Sequence, residues 1–206
     1  MRFSIIIPAY NSEQYIVNAL NSIVNQTFKD YELIVICDSC VDDTQVIANA
    51  YGAKTEKVDF HNDGLTRSRG LDIAQGEYVL FMDDDDWWMR DDVLEFLDRQ
   101  ITENSEPDII CFGFHFKGFG DVLTRRKCDH DLWIATWSKC WKRSLIGDTR
   151  FPNVYSVSDL YFHKEMMKKH PRIIECRECL YYYNYLRPGS ISEQQGNTIE
   201  QTRQWL

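Results

Sequence analysis

Residues 78–88 read YVLFMDDDDWW, an apolar run that stops at four consecutive aspartates. A short stretch of β-favouring residues halted by carboxylates predicts a buried strand that delivers acids to the edge of a sheet. On an extended segment, side chains at i and i+2 point the same way, so Asp83 and Asp85 can converge on one hard cation through oxygen ligands. An isolated acidic run is more often a solvated turn, so the reading depends on the rest of the chain.

Upstream of this strand the signals alternate. A continuous apolar strand over 3–8 is followed by a helix capped by Asn11 or Ser12, with Tyr15, Ile16, Ala19, Leu20, Ile23 and Val24 on its apolar face. A second strand is expected over 31–37, then a turn rich in Asp and Ser and a helix carrying Val46, Ile47 and Ala50. A third strand falls over 54–59 and a helix over 66–74, ended near Gly76. After the aspartates, a helix over 91–104 puts Val93, Leu94, Phe96, Leu97 and Ile101 on one side and acids in its first turn. This βαβαβαβα order predicts an α/β fold with a doubly wound, mostly parallel sheet, whose ligands lie at the carboxyl ends of the strands.

Beyond Pro107 the pattern changes to a mixed extension. It comprises an aromatic strand over 108–117, a hairpin at Gly118 and Gly120, a return strand over 136–141, a helix over 159–169 and strand-like runs at 173–176 and 181–185. The expected organisation is a βα half over 1–106, an extension of the same domain over 107–192, and a tail over 193–206 that is helical or mobile.

A chain of 206 residues, 44% hydrophobic, can bury a substantial core. Its net charge of −9 and pI near 5.0 argue against nucleic acid as a partner, because no basic stripe offsets the acids. The apolar run of MRFSIIIPAYN is broken by Pro8 and is too short for a signal sequence or a membrane span, which leads to an expectation of a cytoplasmic protein. The seven cysteines include Cys37 and Cys40, and Cys176 and Cys179, at C-x-x-C spacing. Neither pair sits in a glycine-rich knuckle, so reduced, partly buried thiols are expected rather than zinc.

Three clusters therefore fall where strands end: Pro8-Ala9-Tyr10-Asn11, Asp38, and Asp83 to Asp86. With CDSCVDDT at 37–44, GLDIAQGEYVLFMDDDDWW at 70–88, WSKCWKRSLI at 137–146, RFPNV at 150–154, SD at 158–159 and YYYNYLRPGSIS at 181–192, the chain resembles the family 2, GT-A type glycosyltransferases. The resemblance runs in order over nearly the whole chain. It implies a metal-dependent, inverting transfer of a sugar from a nucleotide-diphosphate sugar, with a UDP-sugar favoured, to a glycan or lipid-linked acceptor hydroxyl.

Residue by residue, the resemblance implies that Pro8, Ala9, Tyr10 and Asn11 line the donor, that Asp38 accepts from the pyrimidine imide, and that Asp84 faces the ribose. Asp83 and Asp85 would hold Mn²⁺ or Mg²⁺. Arg67 would meet the donor phosphates or orient the aspartates, with Arg69 as a substitute for it because NDGLTRSRG at 62–70 is shorter than the family's spacing, and Arg187 would meet the donor phosphates. Ser190 and Ser192 share the Arg187 segment, which in the family often forms a flap. Trp137 and Trp141 resemble the wall of the acceptor side, and Asp159 the catalytic base. Here the family's Glu-Asp pair is Ser158-Asp159, which puts acceptor binding or base positioning in question but keeps the acid. That departure also motivates the alternative of a nucleotide-sugar-binding protein with lost or impaired catalysis. A lipid-linked acceptor would imply peripheral association with the inner membrane face, aided by the basic stretches at 124–127 and 168–172.

Overall fold

The computed structural model describes residues 1–117, 123–126, 134–154 and 157–184. Arg187, Ser190, Ser192 and the expected tail at 193–206 lie outside the described residues. The elements run β1 (Phe3–Ala9), α1 (Ile16–Val24), β2 (Tyr31–Asp38), α2 (Thr44–Ala50), β3 (Lys54–Val58), α3 (Asp63–Ile73), β4 (Tyr78–Phe81), β5 (Trp87–Trp88) and α4 (Val93–Glu103). The second half adds β6 (Ile109–Lys117), β7 (Leu123–Arg126), a 3-10 turn (Thr136–Ser138), β8 (Lys139–Lys142), α5 (Arg143–Ile146), α6 (Ser158–Met167) and β9 (Ile173–Tyr183).

One sheet carries the order β3-β2-β1-β4-β8-β6-β9-β5, with β7 paired to β6. The first four of these strands are mutually parallel; β8 joins β4 antiparallel, and β6, β9 and β5 make the sheet mixed. This is the expected α/β architecture with its mixed extension. Strand β1 is apolar along its length because it is covered on both faces, as parallel strands are. Phe3, Ile5 and Ile7 enter one core with Leu20 and Ile23 of α1 and Leu94 and Leu97 of α4. Ile6 enters the other with Leu71 of α3, Trp141 of β8 and Phe162 and Met166 of α6.

Close contact between layers needs small residues at two points of the GLDIAQG segment. A Cβ on Gly70 would lie 2.3 Å from Ile6 Cγ2, and one on Gly76 would lie 2.5 Å from the backbone of Phe3 and Ser4. Gly70 lets α3 lie down on β1, and Gly76 lets the chain turn beside β1 into β4.

Several boundaries differ from those expected. Helix α3 starts at Asp63 instead of residue 66, because Asn62 Oδ1 accepts from Leu65 N at 2.9 Å and caps it. Neither Asn11 nor Ser12 caps α1 by side chain; the Ser12 carbonyl accepts from Tyr15 and Ile16. Helix α2 packs through Thr44 and Ala48 and leaves Val46 65% exposed. The run at 173–176 and the start of the run at 181–185 belong to one strand, β9, which ends at Tyr183 and whose register against β6 shifts around Gly113. The two-residue strand β5 was not expected; it pairs Trp87 with Tyr182 and Trp88 with Tyr181. In consequence the acidic turn is fastened at both ends, to β4 before it and to β9 after it. Among the described residues no helix is long and apolar enough to cross a membrane.

Candidate active site

The turn at 83–86 is closed by Asp86 N donating to the Asp83 carbonyl at 3.2 Å. The buried Tyr181 of β9 holds it from below: its hydroxyl donates to Asp86 Oδ2 at 2.7 Å and accepts from Asp83 N at 3.1 Å. Asn184 N donates to Asp86 Oδ1 at 2.7 Å. Asp84 reaches the other way, accepting from Tyr10 N at 3.1 Å, so it ties the end of β4 to the end of β1. These four acids do different work. Asp84 and Asp86 are buried and bonded within the fold, whereas Asp83 and Asp85 are partly exposed. Burial, with Asp85 and Asp159 adding to it against the pull of Arg67, lifts the Asp83 carboxyl to about 6. Burial and the neighbouring Asp85 and Asp83 push Asp86 well above the usual carboxylate range.

The cation that meets this cluster is Arg67. Its side chain is 8% exposed, donates through Nη2 to Asp83 Oδ1 at 2.8 Å, and pairs through Nη1 with Asp63 one helical turn earlier. Asp159 Oδ1 lies 3.9 Å from Nη1, and the guanidinium also sits over the Phe151 ring. One buried cation therefore joins three carboxylates from α3, the β4–β5 turn and the start of α6. The alternative Arg69 is directed elsewhere: it grips Glu56 with Nε and Nη2 at 2.7 and 2.9 Å. Asp159 opens α6 and accepts through Oδ2 from Thr136 N and Oγ1 at 3.0 and 3.2 Å. Its Oδ1 has no hydrogen-bond partner among the described residues, and neither has Arg67 Nε.

Asp38 sits at the end of β2 with both oxygens occupied. Oδ1 accepts from Phe60 N, His61 N and Ser39 Oγ, and Oδ2 from Asn62 N and Thr66 Oγ1, at 2.7–3.0 Å. Burial raises its carboxyl, but the three backbone donors and Thr66 outweigh that and hold it below the ordinary value. Asp38 thus fastens the β3–α3 loop, and the turn before α2 is capped by Asp42, whose Oδ1 accepts from Thr44 N at 3.1 Å. The five contacts fill about four carboxylate acceptor sites, so a pyrimidine imide reaches Asp38 only by displacing or sharing one of them. Alongside, Asn11 Oδ1 accepts from Val41 N at 2.9 Å, and the Cys40 thiol donates to the Ala9 carbonyl at 3.3 Å. Pro8 and Ala9 close β1, and Tyr10 stands 57% exposed at the mouth.

Non-glycine residues with positive φ mark the same rim: Asn11 at 45°, Ser39 at 53° and His61 at 50° follow β1, β2 and β3, and Val157 at 54° precedes Ser158. Left-handed backbone costs most for a β-branched residue such as valine, and such strain gathers at ligand sites.

Two expected acceptor-side residues are corrected. Trp141 is fully enclosed, its Nε1 donating to the Thr136 carbonyl at 3.1 Å and its ring edge-on to Phe162. Trp137 is 5% exposed, stacked on Tyr181 at 4.6 Å and packed against Tyr183 and Phe114. Neither keeps a face open to a sugar ring; Trp137 instead backs the tyrosine that holds the acidic turn. Aromatic content alone does not separate a buried wall from an open one. The basic stretch at 168–172 lies at the surface: Lys168 pairs with the exposed Glu165 at 2.5 Å, and Lys169 donates to the Leu145 and Ile146 carbonyls. The side chains of 124–127 are outside the description.

Among the described residues no group of three or more His, Cys, Asp or Glu gathers to hold a metal alone, and the C-x-x-C cysteines are thiols outside any disulfide. Asp83 and Asp85 still fit a hard divalent ion, since such ions are commonly bound by one or two carboxylates with phosphate oxygens completing the shell. Asp83 gives Oδ1 to Arg67, and both Asp83 and Asp85 keep partial exposure.

The Glycosyl transferase family 2 model matches residues 4–168, a span that includes every acid just described. The chain belongs to glycosyltransferase family 2. It is 42% identical over 211 residues to the poly(ribitol-phosphate) beta-glucosyltransferase of Bacillus spizizenii, covering 92% of this chain and 33% of that protein. It is 35% identical over 213 residues to the poly(ribitol-phosphate) beta-N-acetylglucosaminyltransferase TarS of Staphylococcus aureus, covering 92% of this chain and 36% of TarS. The chain therefore spans about a third of the length of these two relatives. Among solved structures, S. aureus TarS 1–349 in complex with UDP-GlcNAc aligns with a TM-score of 0.81 and 25% identity over 92% of this chain and 60% of that one. The Pyrobaculum calidifontis mannosyltransferase PcManGT with GDP-Man and Mn²⁺ shares the fold at a TM-score of 0.70 and 16% identity, covering 91% and 58%. Together these establish the GT-A type fold expected from the ordered motifs.

Proposed function

We propose that this family 2 chain transfers a sugar from a UDP-sugar, with inversion, to a hydroxyl of a polyol-phosphate polymer or related glycan acceptor. The observation that carries the reading is Arg67, which brings Asp83 and Asp159 to one guanidinium. A donor-holding acid and a candidate base thereby share one site at the carboxyl ends of β1, β2 and β4. The UDP-GlcNAc complex of TarS supports UDP as the nucleotide, and the poly(ribitol-phosphate) relatives support the acceptor class.

Asp83 and Asp85 would hold Mn²⁺ or Mg²⁺, whose charge would offset that developing on the departing diphosphate. Pro8 to Asn11 line the nucleoside. Asp38 keeps the β3–α3 loop in place beside it and shares one acceptor site with the base. Asp84 holds the backbone of Tyr10 and thereby the floor of the ribose position. Asp159, anchored through Oδ2 by Thr136, takes the acceptor proton while the acceptor oxygen attacks the anomeric carbon. The bond from that carbon to the diphosphate oxygen breaks on the opposite face.

Replacing Asp159 with Asn tests the assignment. A positioned base is worth about 10²–10⁴ in rate, so kcat for UDP release from UDP-glucose with a ribitol-phosphate oligomer falls by that order while UDP affinity holds. Unchanged turnover in Asp159→Asn removes the base from Asp159.

A further inference from the structure

Position 63 belongs to none of the motifs that carry the family resemblance, yet its carboxylate is the nearest partner of Arg67. Asp63 Oδ2 takes Nη1 of Arg67 and also accepts from Ser158 Oγ at 3.1 Å. The helix starts that carry these residues are pressed together: a Cβ on Gly64 would lie 3.0 Å from Ser158 Cβ and 3.0 Å from the Pro152 carbonyl oxygen. Ser158 is 2% exposed, so α3 and α6 meet there away from bulk solvent. A larger acid at 158 would meet the space and the guanidinium edge that Asp63 now occupies. The departure from a Glu-Asp pair to Ser158-Asp159 and the presence of an acid at 63 are thus two halves of one arrangement.

We propose that Asp63 is a positioning residue that supplies, from the first turn of α3, the carboxylate displaced from position 158, and so sets how Arg67 divides itself between Asp83 and Asp159. With Nη1 held by Asp63, Arg67 offers one N–H to Asp83 Oδ1 and stays 3.9 Å from Asp159 Oδ1. A guanidinium is a rigid fork, and with one tine on Asp63 the other makes a single bond to Asp83 rather than a bidentate grip. Without Asp63, the released tine turns onto Asp83 or Asp159. It then competes with a cation for the first or neutralises the second. Ser158 completes the device by fixing the Asp63 carboxylate. The inference rests on the donor-site reading above.

The test is calorimetric titration of UDP, with and without Mn²⁺, on wild type, Asp63→Ser, Ser158→Glu and the double variant. Partners behind a metal ligand typically contribute about 10–100-fold to affinity or activity, so Asp63→Ser weakens Mn²⁺-dependent UDP binding about tenfold. Its metal-free UDP binding stays as in wild type, which a merely structural loss would not spare. The double variant, which moves the acid from 63 to 158, recovers to within about threefold of wild type. Ser158→Glu alone, with two acids crowding one tine, gives no gain. Equal Mn²⁺-dependent affinity in wild type and Asp63→Ser overturns the inference and leaves the donor site standing, whereas no UDP binding by wild type overturns the donor site first. If Asp63→Ser does not fold, the double variant decides alone: folded and within threefold it supports the exchange, and weaker or unfolded it overturns it.

Discussion

Two strands of this sheet end in aspartate, and the two ends are built in opposite ways. At the end of β2, Asp38 is enclosed by five hydrogen-bond donors and its carboxyl is held below the ordinary value. Just past the end of β4, burial first and neighbouring carboxylates second push Asp83 and Asp86 up. The first end spends its charge on the protein's own backbone and becomes a fastening. The second keeps two partly exposed carboxylates, Asp83 and Asp85, at its rim, with one guanidinium on Asp83, and so remains able to receive a cation. Identical side chains at equivalent places in a parallel sheet thus divide into structural and ligand-directed acids according to the donors that surround them.

The contrast can be broken most severely at Arg67. Arg67→Ala leaves Asp63, Asp83 and Asp159 without their shared cation, and should destabilise by about 3 kcal/mol in denaturant unfolding. That is the low end for a broken buried pair, because these carboxylates keep 33%, 26% and 20% exposure and can hydrate. A loss much below this would mean that the rim acids never depended on Arg67.

Asp38→Asn should cost less, about 2 kcal/mol, by replacing charge-assisted bonds to three backbone N–H groups with neutral ones and setting an amide against a donor. Its pH dependence sharpens the difference. A carboxyl depressed in the folded state contributes stability that is present above its unfolded value near 3.9 and disappears as pH falls through the folded value. Melting temperature measured from pH 6 down to pH 2 should therefore fall less steeply in Asp38→Asn than in wild type. Parallel acid limbs would remove Asp38 from the role of fastening.

The smallest effect is expected two residues from the largest. Arg69 pairs with Glu56 at a half-exposed surface, so Arg69→Ala should leave melting temperature and nucleotide affinity as in wild type. A loss of turnover there would show that the two arginines had been assigned the wrong way round.

Much of this was legible from residues alone. The strand–helix alternation, the apolar β1 and the acids stopping β4 determine a parallel sheet with its ligands at one edge, because period and strand ends are local properties. What was not legible is set by contacts distant in the chain. Arg67 and Arg69 are equal as letters, and only the seating of α3 against β1, where Gly70 meets Ile6, turns the first toward Asp83. The pairing of Trp87 with Tyr182 and the grip of Tyr181 on Asp86 join residues more than ninety positions apart, with a two-residue strand too short to signal itself. Trp137 and Trp141 look like an open aromatic wall until the sheet closes over them. Asp63 escaped notice because its role depends on Ser158, a residue that reads only as a departure.

The most direct test of the rim as a cation-dependent donor site is calorimetric titration of UDP with and without Mn²⁺ on wild type and Asp85→Ala. The account predicts UDP binding that Mn²⁺ tightens, with that metal-dependent gain falling at least about tenfold in the variant, as loss of a carboxylate ligand to a hard ion would cause. Binding that is indifferent to both Mn²⁺ and Asp85 would contradict it and return the four aspartates to the category of a structural turn.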